Sequence, residues 1–160
     1  QCCVGTVRKN AIIKTRNKVN QFEEIMNILV IDAQGGGIGR QVVTEIKKRL
    51  PWQSLTAVGA NSAATAAMLK AGADEGATGE NAVVVCSRSA DIIIGPVGIV
   101  IADSLLGEIT PKMAVAVGQS CAKRILIPVE HCNNRIVGIS SVSMSKLIEN
   151  AVDIVCEMLK

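Results

Sequence analysis

The chain reads as an α/β protein: one three-layer Rossmann-like domain with a mainly parallel sheet, helices on both faces and a C-terminal hairpin. Three observations predict this. Short apolar, β-branched runs alternate with helical patterns through residue 129, the mark of parallel strands joined by helical crossovers. Four glycines within five positions, Gly35, Gly36, Gly37 and Gly39, divide the first strand from the first helix. The 160 residues are one domain's worth of chain, and with aromatics at 1% its core must be aliphatic.

The first strand opens at Met26 and runs through an apolar, β-prone stretch to Asp32. The helix after the glycines shows a 3.6-residue period in Ile38, Val42, Val43, Ile46 and Leu50, with Arg40, Glu45, Lys47 and Lys48 on the other face. Pro51 ends it, and Leu55–Ala60 is a second strand. Asn61 or Ser62 caps a helix over Ala63–Ala71, closed by Gly72. A short third strand fits near Glu75–Ala77. Residues Asn81–Arg88 are ambiguous in pattern and are assigned to a helix, because a strand, Asp91–Ile94, follows at once. Gly95-Pro96-Val97-Gly98 ends that strand, and helix-like sequence resumes over Ile99–Leu106. Thr110-Pro111 is an N-cap followed by a first-turn proline, opening a helix through Gln119. Lys123–Val129 is a strand, residues 130–134 a turn, and Arg135–Ser140 a returning hairpin strand. Ser145–Leu159 closes the chain as an amphipathic helix.

Charge is unevenly placed. Residues 1–25 carry five basic and two acidic side chains, whereas residues 26–160 carry 12 of each. The folded part is therefore neutral and lacks the basic surface of a nucleic-acid binder, and the chain, with no Tyr and only Phe22 and Trp52, lacks the stacking rings. Residues 1–25 read as an extension, disordered or not native to the domain, with a basic arm as the functional alternative. They hold no apolar run of signal-peptide length. Ile92–Ala102 is too short and too broken by Gly-Pro to cross a membrane. The six cysteines form no Cys-x-x-Cys pair and His131 is the sole histidine, so no metal site is expected. Scattered thiols in apolar surroundings read as small buried hydrophobes in a reducing cytoplasm.

Chemistry concentrates at the glycine loop. Residues without Cβ let backbone approach a phosphate closely, and free amides at a helix start attract an anion. Aligned on the last glycine, the dinucleotide fingerprint Gly-x-Gly-x-x-Gly falls on Gln34, Gly36 and Gly39, so two positions match. The binding set read from the sequence is Asp32, Gln34, Gly35, Gly36, Gly37, Ile38 and Gly39, with Asn61 and Ser62 after the second strand. Glu80 with Asn81, and Gly95, Pro96 and Gly98, supply further walls. The alternative is that these glycines serve tight turns and that Asp32 caps loop amides. No Asp or Glu ends the second strand to take ribose hydroxyls, which departs from an ordinary NAD site. A P-loop is excluded because Arg40-Gln41 follow Gly39 where Lys and Ser/Thr are required. A short-chain dehydrogenase would need a catalytic Tyr. Asp103 and Glu108 are candidate acid–base groups, or else a solvated helix face and end. His131-Cys132 as base and nucleophile is disfavoured, since adjacent residues on a turn point apart.

Four strings, DAQGGGIG (Asp32–Gly39), GATGEN (Gly76–Asn81), GPVGIVIADSLLGEITP (Gly95–Pro111) and ILIPVEHCN (Ile125–Asn133), together resemble a short bacterial family, domain of unknown function 3842. The resemblance covers residues 26–160. It departs from the family's pattern at Ala33, where Gly is usual, and at Asp103, where Asn is usual. It implies a small cytoplasmic Rossmann-like protein starting near Met26, and it implies no activity. The functional expectation is a nucleotide or other small phosphorylated ligand held at Gly35–Gly39, with NAD(P) the candidate cofactor of a linked oxidoreductase. The competing expectation is a non-catalytic ligand sensor or partner subunit. Whether the protein is an enzyme, and whether it forms a homo-oligomer, is left open.

Overall fold

The computed structural model describes residues 25–129, 134–137 and 142–159. Its elements are β1 (Ile28–Asp32), α1 (Gly37–Arg49), β2 (Leu55–Gly59), α2 (Ser62–Lys70), β3 (Glu75–Thr78), α3 (Glu80–Ser89), β4 (Ile92–Pro96), a 3₁₀ turn (Val97–Val100), α4 (Pro111–Gln119), β5 (Lys123–Ile127) and α5 (Met144–Met158). The five strands form one sheet in the order β3-β2-β1-β4-β5, and every pairing is parallel. This is the Rossmann-like α/β arrangement. The order reverses direction between β1 and β4, so the outer ends of these two strands flank the topological switch point.

Strand periodicity divides the core in two. Ile28 and Val30 of β1 pack with Val42, Val43 and Ile46 of α1, Met68 of α2 and Val152 and Val155 of α5. Leu29 and Ile31, pointing to the other face, pack with Val83 of α3 and Met113 and Val117 of α4. Both faces of the central strands are thus covered, which is why β1 and β4 read as continuous apolar runs rather than alternating ones. Thr110 caps α4 by accepting from the Met113 amide at 3.2 Å, with Pro111 at the first position. Asn61 caps α2 through the Ala64 amide at 2.8 Å. Helix α3 begins at Glu80 after Gly79, and no side chain caps it.

Two expected elements differ. The helix expected over Ile99–Leu106 is replaced by the short 3₁₀ turn and a run of turns from Ile101 to Ile109. Asp103 (φ 60°), Leu105 (φ 54°) and Leu106 (φ 59°) are left-handed, and a right-handed helix cannot pass through them. The Ser104 hydroxyl also donates to the Gly98 carbonyl at 2.6 Å, drawing the segment back into a compact loop. The second difference concerns the returning hairpin strand over Arg135–Ser140. Residues 135–137 carry no strand, and Val137 is 99% exposed, with no sheet face to cover it. Positions 138–140, and most of the turn expected at 130–134, lie outside the described residues, as do residues 1–24 of the extension.

Close approach explains two of the loop glycines. Gly36 has φ 72°, and a Cβ on it would stand 2.8 Å from both Cα and the carbonyl oxygen of Ala64, at the start of α2. Gly39 brings α1 down onto β1, where a Cβ would stand 2.8 Å from the Asp32 Cβ. Gly36→Ala therefore combines a left-handed backbone with a clash against main chain, and should lower the unfolding free energy by about 2–4 kcal/mol. Urea unfolding checks this; a loss below about 0.5 kcal/mol, the range of ordinary surface changes, would show that α2 can retreat.

Candidate functional site

Helix α1 has no capping side chain of its own, because Gly36 occupies the N-cap. The cap comes instead from Asp32, the last residue of β1. Its Oδ1 accepts from the Ala33 amide at 2.8 Å and its Oδ2 from the Gly39 amide at 2.6 Å. The Ile38 amide also points its dipole at this carboxylate. Asp32 is buried. Burial raises its pKa above the ordinary 3.8, against the pull of these amides, and the nearby Glu108 charge adds to the rise.

The loop's own amides are consequently divided. The Ala33 and Gly39 amides serve Asp32, the Gly36 amide donates to the Ala33 carbonyl at 2.9 Å, and the Gln34 amide donates to Glu108 Oε2 at 3.0 Å. Among the described residues, the amides of Gly35 and Gly37 donate to no protein acceptor. A Cβ at either position would meet nothing within 4 Å. The electropositive cradle expected from the whole loop is thereby reduced to these two amides at its outer rim.

Beside them lies a cavity of about 150 Å³. Gln34, Gly37 and Ile38 line one side, Pro96, Leu105 and Val129 the other, together with Asp32 and Ala33. It opens between the ends of β1 and β4, where ligands collect in open α/β sheets. A larger, shallow groove of about 600 Å³ runs over Arg40, Gln41, Thr44, Ser145 and Glu149. It is broadly open to solvent and includes neither free amide, so the smaller cavity is the better-placed site.

The sequence-read residues separate into three groups. Asp32, Gln34, Gly37 and Ile38 meet Pro96 at the cavity, with Gly35 exposed beside it. Gly36, Gly39, Gly95 and Gly98 are buried and make close approaches possible: a Cβ on Gly95 would collide with the Ile31 carbonyl, and one on Gly98 would press Leu105 and Ser104 at 3.2 Å. The remainder stand elsewhere. Glu80 accepts from the Thr110 hydroxyl at 2.7 Å and pairs with Lys112 at 3.1 Å, contacts that lower its pKa and tie α3 to α4. Asn81 and Ser62 are exposed and line no part of the cavity. Asn61, besides capping α2, donates from Nδ2 to Glu108 Oε2 at 2.7 Å.

Glu108 is the residue whose place the sequence did not reveal. It lies 74 positions beyond Gln34, yet one of its oxygens joins the loop after β1 to the loop after β2. The only signal was its polarity within an apolar stretch. Asp103 is exposed and its amide closes the 101–109 loop on the Ile109 carbonyl at 2.8 Å. His131 and Cys132 lie outside the described residues. Cys86 and Cys156 are half-buried, burial raising the Cys86 thiol pKa, while Cys121 is exposed rather than a buried hydrophobe, standing just before β5 opens. Among the described residues no group of three or more His, Cys, Asp or Glu is placed to hold a metal ion, and no helix is long and apolar enough to cross a membrane.

The chain belongs to the family described as Domain of unknown function (DUF3842), whose model matches residues 27–160. No curated protein matches it. Among solved structures it is similar to a dodecameric FMN-dependent UbiX-like decarboxylase from Escherichia coli O157:H7. That likeness has 18% identity and a TM-score of 0.42, over 81% of this chain and 75% of that one.

The Asp32 geometry sets a pH dependence with a definite sign. Its folded pKa is raised, so between 3.8 and that higher value the native chain binds more protons than the unfolded one. The contribution of Asp32 to stability is therefore full below pH 3.8 and falls as pH rises through its folded pKa. A carboxyl-carbon NMR titration should give Asp32 a midpoint above 3.8. Asp32→Asn should flatten this part of the stability profile and, by turning an amide NH₂ toward a backbone donor, cost about 1–3 kcal/mol at neutral pH. A midpoint below the ordinary value would mean that the amides outweigh burial.

Proposed function

We propose that this member of the family binds a small phosphorylated ligand, a nucleotide in the first instance, with a phosphate at the Gly35 and Gly37 amides, beside the cavity at the ends of β1 and β4. The observation that carries the reading is the coincidence of two unengaged loop amides with a cavity at the switch point. Strand, glycine loop and helix N-terminus supply donors and a favourable dipole there. The volume, about 150 Å³, is below the roughly 300 Å³ at which whole small-molecule pockets begin. It suits one end of a ligand whose remainder lies on the open surface.

The described residues of the site supply groups that bind. Among the described residues Asp32 is the one ionisable side chain on the cavity wall, and both its oxygens are engaged by loop amides. Pro96, Leu105, Ile38 and Val129 supply apolar surface and no proton. This favours a ligand-sensing or partner-subunit role over a nicotinamide-linked oxidoreductase among the expected alternatives.

A thermal-shift series with ADP, NAD, NADP and inorganic pyrophosphate tests the reading. A ligand present at 100 times its Kd adds about 2.7 kcal/mol to the native state, several degrees for a domain of this size. Gly37→Ala is the diagnostic variant. Its Cβ enters open space and no left-handed backbone is involved, so the unliganded melting temperature should stay within about 2 °C of the parent, as for a compatible Gly→Ala change. The same methyl group stands beside the cradle and should cut the ligand shift by more than half. No shift with any of the four compounds, or an undiminished shift in Gly37→Ala, overturns the proposal.

A further inference from the structure

The order of β1 and β2 places their outgoing loops side by side, and Glu108 sits across both. Its Oε2 accepts from the Gln34 amide at 3.0 Å and from Asn61 Nδ2 at 2.7 Å. Its Oε1 receives no hydrogen bond from the described residues, and the side chain is half-buried. A carboxylate has about four acceptor positions, so two donors leave capacity unfilled. Doubly wound folds use a carboxylate at this place, by the end of β2, to hold ribose hydroxyls. Here the residues that follow β2 are Ala60-Asn61-Ser62, with no acid among them. Space supplies what local sequence lacks.

The backbone carrying Glu108 is fixed in an unusual way. Asp103, Leu105 and Leu106 are left-handed without being glycine, and Gly107 follows at φ 81°. Buried Ser104, Leu105 and Ile109 hold the loop, which closes on itself through Asp103 N–H to Ile109 carbonyl and Ile109 N–H to Ser104 carbonyl. Strained residues held by their surroundings recur at ligand clamps. The loop also provides Leu105 to the cavity wall, so cavity and carboxylate are set by one rigid segment.

We propose that Glu108 is a specificity-determining residue: its unengaged oxygen accepts hydrogen bonds from a vicinal diol, a ribose 2′,3′-diol, and its charge turns away a phosphate at that point of the ligand. The inference rests on the phosphate-cradle reading above and adds the class of group recognised on the β2 side. A ligand with two ends follows, phosphate toward β4 and sugar hydroxyls toward β2. Asn61 and the Gln34 amide act as positioning groups, holding the carboxylate in one orientation so that it makes the sugar contact without searching.

Calorimetric titration of the full chain with ADP, 2′,3′-dideoxy-ADP, adenosine 2′,5′-bisphosphate and inorganic pyrophosphate separates the outcomes. The parent should prefer ADP to dideoxy-ADP by about tenfold or more, the worth of one hydrogen bond to a charged group, and should bind the 2′-phosphate compound more weakly than ADP. Glu108→Gln should reduce the ADP-to-dideoxy ratio to about threefold or less, since a neutral acceptor makes the weaker bond. It should relax rejection of the 2′-phosphate and raise pyrophosphate affinity by less than about tenfold, the loss of one screened negative charge at the mouth. Glu108→Ala should do the same, and ligand-free melting of both variants shows that the fold is intact. Equal discrimination in parent and variants overturns the proposal while leaving the cradle standing. So does a gain of tenfold or more in pyrophosphate affinity on removing Glu108, which would make this side chain a plug that an anion must displace. Failure of the parent to bind pyrophosphate or ADP at all sinks both readings together.

Discussion

A single buried carboxylate organises the mouth of this fold. Asp32 ends the central strand and turns its oxygens back onto the amides of Ala33 and Gly39. A buried ionised carboxylate without partners is expensive, and a helix start without a cap leaves amide donors unsatisfied. Each deficit offsets part of the other here, with burial still holding the Asp32 pKa above its ordinary value. Because Gly39 must lie over Asp32, the first turn of α1 is pressed onto β1 at a separation that no Cβ would permit. Gly36 then presses the loop onto α2 under the same restriction. The path of the loop, the pitch of α1 and the seat of α2 all descend from that one contact.

The cost of this arrangement is borne by the loop's capacity for ligand. A glycine loop in a dinucleotide site turns its amides outward; this one spends two of them inward on Asp32 and a third on Glu108. The 101–109 loop that delivers Glu108 carries three left-handed non-glycine residues, each unfavourable by roughly 1–2 kcal/mol. Burial of Leu105 and Ile109 returns about 1.5–3 kcal/mol each, so apolar packing is enough to hold the strain without help from the salt-sensitive polar contacts at the rim. That balance explains why the segment is compact despite having no helix, and why Leu106 can be left 89% exposed at its tip.

The strands and the helices other than Ile99–Leu106 were legible because hydrophobic period and capping are local. Thr110-Pro111, Asn61 and the apolar run of β1 each announce a boundary within a few residues. The short exposed strand Glu75–Thr78 was legible only as an interval between two helices. The Ile99–Leu106 stretch misled because an almost wholly apolar run between two ordered elements reads as helix, while the left-handed turns in it leave no compositional trace beyond Gly107. Asp103 belongs with these: Asp and Asn enter left-handed backbone more readily than most residues, so its place in the turn accounts for an Asp or Asn there without a ligand. At the site, the glycines announced close approach but not its direction. Whether an amide faces a ligand or a side chain depends on what arrives from afar, and Glu108 arrives from 74 residues away.

Charge at the mouth limits what can enter it. Asp32 and Glu108 are near enough to raise the Asp32 pKa, so the β1–β2 side of the opening is acidic. At an effective dielectric near 20, a second negative charge about 4 Å from either carboxylate costs about 4 kcal/mol, more than an exposed helix terminus returns. That repulsion opposes a phosphate on the β2 side, and the proposed phosphate position, at the Gly35 and Gly37 amides toward Pro96 and β4, is the one where amide donors offset it. The groups that an acidic β2 side welcomes are hydrogen-bond donors. Opposite electrical demands at the two ends of one small opening fix the direction in which a bound molecule would lie before any of its contacts are counted.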